Sequence, residues 1–298
     1  MQNRFFQIVI TLGIAPLCVN GQWLNQPDPM TPHTREGKPN LAARAPRDHG
    51  KPDLSGIWQT ESTPRKELAV MFPPGVGLLP GGENGLGEDD PLKYFLNILA
   101  DYKMGQEPFT PAAAALFRQR MQNPRKPYSL CTPMSLPVAQ VLPAPFKVVQ
   151  KPGLTLMLYE SDNVFRQIFT DGRKHPVDPQ PSWMGYSIGH WEGDWFVIDT
   201  VGFNDRADLD AMGHFHSDAM RITERLHRRD FGHMEVRTTI DDPKTFTKPI
   251  TIEYSDRLLP ETDVMENFCS EDEKDLAHQV AQALVPAAPG LIPAPGLF

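Results

Sequence analysis

The sequence predicts a mainly β protein: an antiparallel up-and-down barrel or half-barrel with a small inserted helical segment and a C-terminal helix. Three observations lead there. From Pro137 onward the chain runs in short alternating or continuously apolar stretches broken by Gly, Pro, Asn and Asp. The links between those stretches are mostly too short to hold a helix, which favours hairpins and a meander over a parallel sheet. Helical periodicity is confined to residues 91–122 and 270–284.

Taken in order, the first 21 residues read as a secretory signal peptide. Arg4 supplies the positive end, the run from Phe5 to Cys18 is mostly apolar, and Val19-Asn20-Gly21 precedes a plausible cut. The run is too short, and too interrupted by Gln7 and Thr11, to span a bilayer, and no later stretch is a transmembrane candidate. A soluble periplasmic or secreted protein without stable membrane insertion is expected. Residues 22–52 carry Pro27, Pro29, Pro32, Pro39, Pro46 and Pro52, and read as an extended arm. One domain then covers 53–284. It opens with a strand signal at 53–59, Asp53-Leu54-Ser55-Gly56-Ile57-Trp58-Gln59, followed by a Gly/Pro-rich loop at 72–91 that lacks the ending of a phosphate cradle. Helices are predicted at 91–103 and 111–122, each with Pro near its first turn. Strands are predicted at 139–150, 154–160, 164–170, 185–191, 195–202, 219–229, 233–240, 249–258 and 264–269. Ser161-Asp162-Asn163, Glu192-Gly193-Asp194 and Asp230-Phe231-Gly232 supply hairpin turns. A helix at 270–284 and a disordered Ala/Pro tail at 285–298 complete the chain.

Composition narrows the function. The formal net charge is −8 and no basic block exceeds Arg228-Arg229, so a phosphate backbone finds no electrostatic footprint and nucleic acid is not an expected partner. Proline, 31 of 298 residues, is roughly twice ordinary usage but forms no repeat, which excludes collagen-like and solenoid folds. Of three cysteines, Cys18 leaves with the signal. Cys131 and Cys269 remain, and in an oxidising compartment an even pair reads first as a disulfide, with buried thiols or a functional thiolate as the alternatives.

Strand phase locates the candidate chemistry. In Met220-Arg221-Ile222-Thr223-Glu224-Arg225-Leu226, the apolar Met220, Ile222 and Leu226 share a face with Glu224, which should therefore point inward. The same reading puts Asp199 in phase with Trp195, Val197 and Val201, although the opposite face is apolar too, and Arg166 in phase with Val164 and Ile168. Charges inside a barrel are costly unless paired, so these three form either a structural network or a site with tuned pKa values. His175 stands in a Pro-flanked loop, and His214-Phe215-His216 precedes the Glu224 strand. His-x-His in an extended segment suits a metal, with His175 or a carboxylate as a third ligand; no cofactor is otherwise expected. Without metal, His216 is a candidate general acid or base, with Asp210 and Asp218 flanking its loop. Gly185-Tyr186-Ser187-Ile188-Gly189 fits the nucleophile-elbow pattern but runs into a hairpin instead of a helix, so Ser187 is set aside. Trp183, Tyr186 and Trp191 fall in the span that carries the histidines and read first as core or barrel-mouth packing, with the Pro-rich 176–181 loop and Ser182-Trp183-Met184 as one lip of an apolar pocket in the alternative reading.

Gly56-Ile57-Trp58 resembles the Gly-x-Trp start of lipocalin-type (calycin) barrels, in which the Trp closes one end. More broadly, Pro52 to Trp58, Cys131-Thr132-Pro133, Asp171 to Pro176, Trp191 to Asp194, Asp199-Thr200, His216-Ser217 and Glu224-Arg225 resemble a pattern of exported soil-bacterial proteins to which no reaction attaches. The resulting expectation is an exported β-barrel enzyme using Glu224, Asp199, His216 and His175 for acid/base chemistry, meaning hydrolysis, hydration, dehydration or isomerisation. Its substrate would be a small, mainly apolar or aromatic molecule held by Arg166, Trp183, Tyr186 and Trp191. The alternatives are a non-catalytic lipocalin-like binding protein and a metal-dependent enzyme using His214 and His216.

Overall fold

The structure, a computed structural model, describes residues 27–64, 67, 93–122 and 132–268. The expected signal peptide, the 72–91 loop, both Cys131 and Cys269, the 270–284 helix and the tail lie outside the described residues. A small hairpin of β1 (Arg47–Asp48) and β2 (Lys51–Pro52) precedes the barrel strands. These are β3 (Gly56–Thr60), β4 (Phe146–Lys151), β5 (Leu154–Tyr159), β6 (Phe165–Phe169), β7 (Tyr186–Glu192), β8 (Trp195–Val201), β9 (Arg221–Arg228), β10 (His233–Asp241) and β11 (Ile250–Leu258). They follow one another in sequence order around a closed barrel, with β11 pairing β3 to complete the ring.

One pairing departs from the predicted antiparallel meander. β6 and β7 run parallel, with Ile168 opposite Ser187 and Phe169 opposite Ile188. Parity requires it: strands that alternate in direction close a ring only in even number, and this ring has nine. The parallel step falls where the connection is long, at residues 170–185, because a two-residue turn cannot join parallel neighbours. The short turns sit where the sequence put them. Asp162 and Asn163 take positive φ between β5 and β6, and Gly193 does so between β7 and β8, in keeping with the turn chemistry of Asn, Asp and Gly.

Three predicted elements change. Residues 139–145 do not begin a strand: α3 (Val138–Val141) forms there, all four residues buried, and β4 starts only at Phe146. Pro143 and Pro145 have no N–H to give a ladder. The 91–103 helix shrinks to α1 (Lys93–Leu96), because the Asn97 side chain takes the Leu99 N–H at 2.8 Å and Asp210 takes the Ile98 N–H at 2.6 Å. Within 264–268 there is no strand, only a bridge from Asn267 to Ser161; the ring is already closed and offers no edge. The second helix, α2 (Pro111–Gln122), keeps its predicted bounds. Among the described residues no helix is long and apolar enough to cross a membrane.

Alternation along each strand places the core inside the ring. Ile222, Leu226, Met234, Val236, Ile240, Ile250, Ile252 and Leu258 are buried there with Phe146, Met157, Phe196 and Ile198. Gly189 faces inward without a side chain, and a Cβ would sit 2.8 Å from both Ile168 and the Phe196 ring. One end is plugged by Trp58, fully buried, whose indole N–H donates to the Leu54 carbonyl at 2.9 Å. The Arg228 guanidinium lies 4.9 Å from the Trp58 ring and donates to the carbonyls of Asp53 and Phe231. Burial pushes Arg228 down to about 10, and those carbonyls keep its N–H groups satisfied. From Pro27 the arm lies on the same end, where Phe231 N and Gly232 N donate to Ala43 O and Leu41 O.

Candidate functional site

The interior is not uniformly apolar. Arg166 on β6 and Glu224 on β9 are both buried and form an ion pair through Nη2 and Oε2. Arg166 Nε donates to Ser187 Oγ at 2.9 Å, and Nη2 also donates to Thr200 Oγ1 at 2.6 Å. The two hydroxyls lie 3.0 Å apart. Thus hydroxyls on two strands, β7 and β8, hold the guanidinium and β9 supplies its counter-charge. The inward phase read for Glu224 and Arg166 matches their burial. Ser187 is on a strand, buried, and occupied by Arg166, in keeping with its exclusion as a nucleophile.

A second carboxyl group shares the interior. Asp256 on β11, paired in register with Thr60, is 1% exposed. Thr60 Oγ1 lies 2.7 Å from the Gln140 backbone carbonyl and 2.9 Å from Asp256 Oδ1. A hydroxyl has one proton, and the carbonyl can only accept it. A neutral Asp256 donating to Thr60 would let both contacts be hydrogen bonds, whereas an ionised one leaves a single hydroxyl proton between two acceptors. Electrostatics agree: burial, joined by the charges of Glu61 and Glu224, pushes Asp256 up to about 8. Burial also raises Tyr159 and Tyr254, both beside Glu224, so each keeps its phenolic proton.

Several of these groups are incompletely bonded. Arg166 Nη1, Glu224 Oε1, Thr238 Oγ1, Tyr254 Oη and Gln140 Oε1 are buried and have no hydrogen-bond partner among the described residues. Thr238 stands directly opposite Glu224 in the β9–β10 register. The ring of Tyr254 reaches a surface cleft of about 160 Å³, lined by Thr60, Glu61, Lys93, Tyr94, Val141, Glu253 and neighbouring residues.

Apart from Trp191, which shares the inward face of β7 with Ser187, the structure does not bring the other predicted residues to this interior. Asp199 points out of the barrel, a correction to the strand-phase reading. Both faces of β8 are apolar, so alternation alone set no phase; the pairing of Thr200 with Ser187 and of Ile198 with Glu224 turns the even-numbered residues inward. Outside, Asp199 accepts from Arg221 and lies 3.2 Å from His175 Nε2. Tyr186 is on this outer wall too, its ring centroid 6.1 Å from that of His175 and its hydroxyl 3.4 Å from Arg173. His175, Asp199 and Tyr186 thus form a cluster of their own, separated from Glu224 by the sheet. Trp191 packs on Phe196 at 5.1 Å, and Trp183 is half-buried with its carbonyl bonded by Ser135 Oγ at 2.5 Å. In the 176–181 loop, Pro179 packs over Gly202 while Val177 is exposed.

The histidine loop has a different task. His214 Nδ1 lies 2.5 Å from Asp210 Oδ2, which also takes the Ile98 N–H, and the imidazole stacks on Phe117 at 4.6 Å. This pins α1 and α2 to the loop between β8 and β9. His216 donates from Nδ1 to the Ser217 carbonyl at 3.0 Å, which leaves Nε2 as a buried acceptor with no partner, and burial lowers its pKa. Among the described residues no group of three or more His, Cys, Asp or Glu side chains is placed to hold a metal ion. His175, His214 and His216 are not assembled as a ligand trio. Lys244 takes Asp218 at 2.5 Å, away from either imidazole's bonds.

Residues absent from the sequence reading include Asp256, Tyr254, Thr238, Tyr159 and Thr60. The signal was present for β11: Tyr254 and Asp256 are in phase with Ile250, Ile252 and Leu258. No family model, curated protein or solved structure matches the chain.

Proposed function

We propose that the chain is a small-molecule-binding β-barrel protein whose ligand sets its polar group against the Arg166–Glu224 pair and its neighbours. The observation that carries this reading is the set of buried, partly unbonded polar atoms on adjoining strands: Arg166 Nη1, Glu224 Oε1, Thr238 Oγ1 and Tyr254 Oη. Native interiors leave few such atoms, and each left unmet costs roughly 1–3 kcal/mol, so several together point to a bonding partner from outside the chain. The cleft that reaches Tyr254 supplies the concave surface such sites use. The segregation of Asp199, His175 and His216 from Glu224 weighs against one composite acid/base centre built from all four. Export, suggested by residues 1–21, suits a carrier of a small molecule from the surroundings.

Catalysis remains a second reading on one observation: Asp256 and Glu224 place a neutral acid and an ion-paired carboxylate inside one barrel. In that reading the acid/base pair is Asp256 with Glu224.

The test is native mass spectrometry of the purified full chain, followed by titration with an apolar fluorescent probe. Wild type is expected to retain a small molecule or bind the probe saturably with Kd below about 100 µM, worth roughly 5.5 kcal/mol. The Arg166→Met/Glu224→Leu double variant, checked for fold by circular dichroism, is expected to lose it. Folded wild type that neither carries nor binds any apolar molecule would overturn the reading.

A further inference from the structure

The electrical balance of the barrel interior deepens this reading, and rests on it. Arg166 contributes one positive charge and cannot be deprotonated in a protein. Glu224, bonded to it, contributes one negative charge. Asp256 is buried beside Thr60 with its pKa pushed up to about 8 by burial, so it is mainly neutral at pH 7 and contributes none. The group facing Glu224 across the β9–β10 ladder is a threonine, and Tyr159 and Tyr254 are phenols. Arg228, another buried cation, lies against Trp58 with its N–H groups on backbone carbonyls. The set of Arg166, Glu224 and Asp256 is therefore neutral as a whole, although it holds two full charges.

The unbonded atoms say what else the ligand needs. Arg166 Nη1 and Tyr254 Oη carry protons with no acceptor. Glu224 Oε1 and Thr238 Oγ1 are unbonded as well, on residues that face each other across the β9–β10 ladder. An accepting oxygen on the ligand would meet the two unbonded donors, Arg166 Nη1 and Tyr254 Oη. The cleft gives a size: about 160 Å³, close to the cavity that holds a benzene ring, with Tyr94, Val141 and Tyr254 as its ring-facing surfaces. Its rim also carries Glu61, Glu67 and Glu253 against Lys93, which is tied to Asp101 at 2.5 Å, so an anion meets repulsion before entry.

We propose that the ligand is an uncharged single-ring molecule bearing a hydrogen-bond-accepting oxygen, such as an aryl ketone or benzylic alcohol. An arylcarboxylate would bring a charge that Glu224 repels and Arg166 is already spent on. An arylammonium would find its only counter-charge taken by Arg166. Either ion leaves the interior with one uncompensated charge in a medium that screens poorly.

The experiment uses four probes on one ring, acetophenone, benzyl alcohol, benzoate and benzylammonium, titrated calorimetrically at pH 7 into the full chain and into Glu224→Gln. For wild type, the two neutral probes are expected to bind at least about tenfold tighter than either ion, a difference of about 1.4 kcal/mol. In Glu224→Gln the charge of Arg166 is unbalanced, and benzoate is expected to gain at least about tenfold relative to acetophenone. Wild type that prefers benzoate or benzylammonium overturns the neutral-ligand assignment while leaving the barrel a binding protein. If wild type binds none of the four, nor the apolar fluorescent probe, the binding reading itself falls and this inference with it. Should Glu224→Gln fail to fold, Arg166→Gln gives the mirror result, with benzylammonium as the probe that gains; unchanged selectivity in a folded variant overturns the charge-balance argument.

Discussion

Replacing Asp256 by Asn tests the most unusual electrostatic feature of the barrel. The carboxyl group is buried, lies 2.9 Å from Thr60 Oγ1, and has its pKa pushed up to about 8 from 3.8, chiefly by burial. Between those values the folded chain holds a proton that the unfolded chain has released. Stability from this group is therefore fully present below about 4 and is lost as pH rises toward 8. The interval spans about four pH units, and at about 1.4 kcal/mol per unit the ceiling is about 6 kcal/mol. Relaxation of the site around an ionised Asp256 will lower that, and about 2–3 kcal/mol is the working expectation. Asn has nearly the same shape, carries no titrating proton and can donate to Thr60 through its amide. Urea unfolding of both proteins from pH 5 to pH 8 separates this group from all others, because the remaining titrations are common to the pair. The wild-type midpoint should fall relative to Asp256→Asn by roughly 1 M across the range, with an m-value near 2–3 kcal/mol/M. Midpoints that run parallel over the whole range would refute the neutral-acid assignment.

Three further outcomes follow from named contacts. Arg166→Met alone strands the Glu224 carboxylate in the interior and should cost about 3–5 kcal/mol by chemical denaturation. The double variant Arg166→Met/Glu224→Leu should recover most of that loss, since the desolvated pair itself nets little; equal losses in the single and the double would contradict the ion pair's place in the core. Asp210→Ala removes the acceptor shared by Ile98 N and His214, both within 2.6 Å. It should loosen α1 and its neighbours, read as new proteolytic cleavage near 97–110 with a loss of about 2–4 kcal/mol. His216 has its pKa lowered by burial, so the unfolded chain takes up its proton first and stability falls as pH drops below about 6.5. His216→Asn, which keeps a donor for the Ser217 carbonyl, should flatten that acid limb of the melting temperature against pH.

How far the sequence revealed the fold and the site depended on whether each strand had a single polar face. On β9, Arg221, Thr223 and Arg225 take one face and Ile222 and Leu226 the other, so the inward position of Glu224, in phase with the apolar pair, could be read directly. On β8, Phe196, Val197 and Ile198 are all buried, so the sequence carried no phase and Asp199 was assigned to the wrong side of the sheet. Only the register with β7 and β9, a property of the closed ring, resolves it. The β11 phase was as legible as that of β9, yet Asp256 and Tyr254 were passed over. Their importance comes from Thr60 and Gln140, more than a hundred residues earlier in the chain, and no spacing within one strand announces a partner at that distance.

The parallel pair shows the same dependence on closure. Each hairpin turn is local, and local reading extended over the whole chain gives an all-antiparallel meander. A ring of nine cannot satisfy that rule at every junction, so one junction must break it. The break falls between β6 and β7, where Arg166 and Ser187 meet, and its long 170–185 connection carries His175 over the outer face to Asp199. One topological requirement therefore acts on both sides of the wall: it keeps Arg166 and Ser187 in contact within, and sets His175 without. The histidine that the sequence grouped with Glu224 is kept from it by the strand direction that holds Glu224's own partner in place.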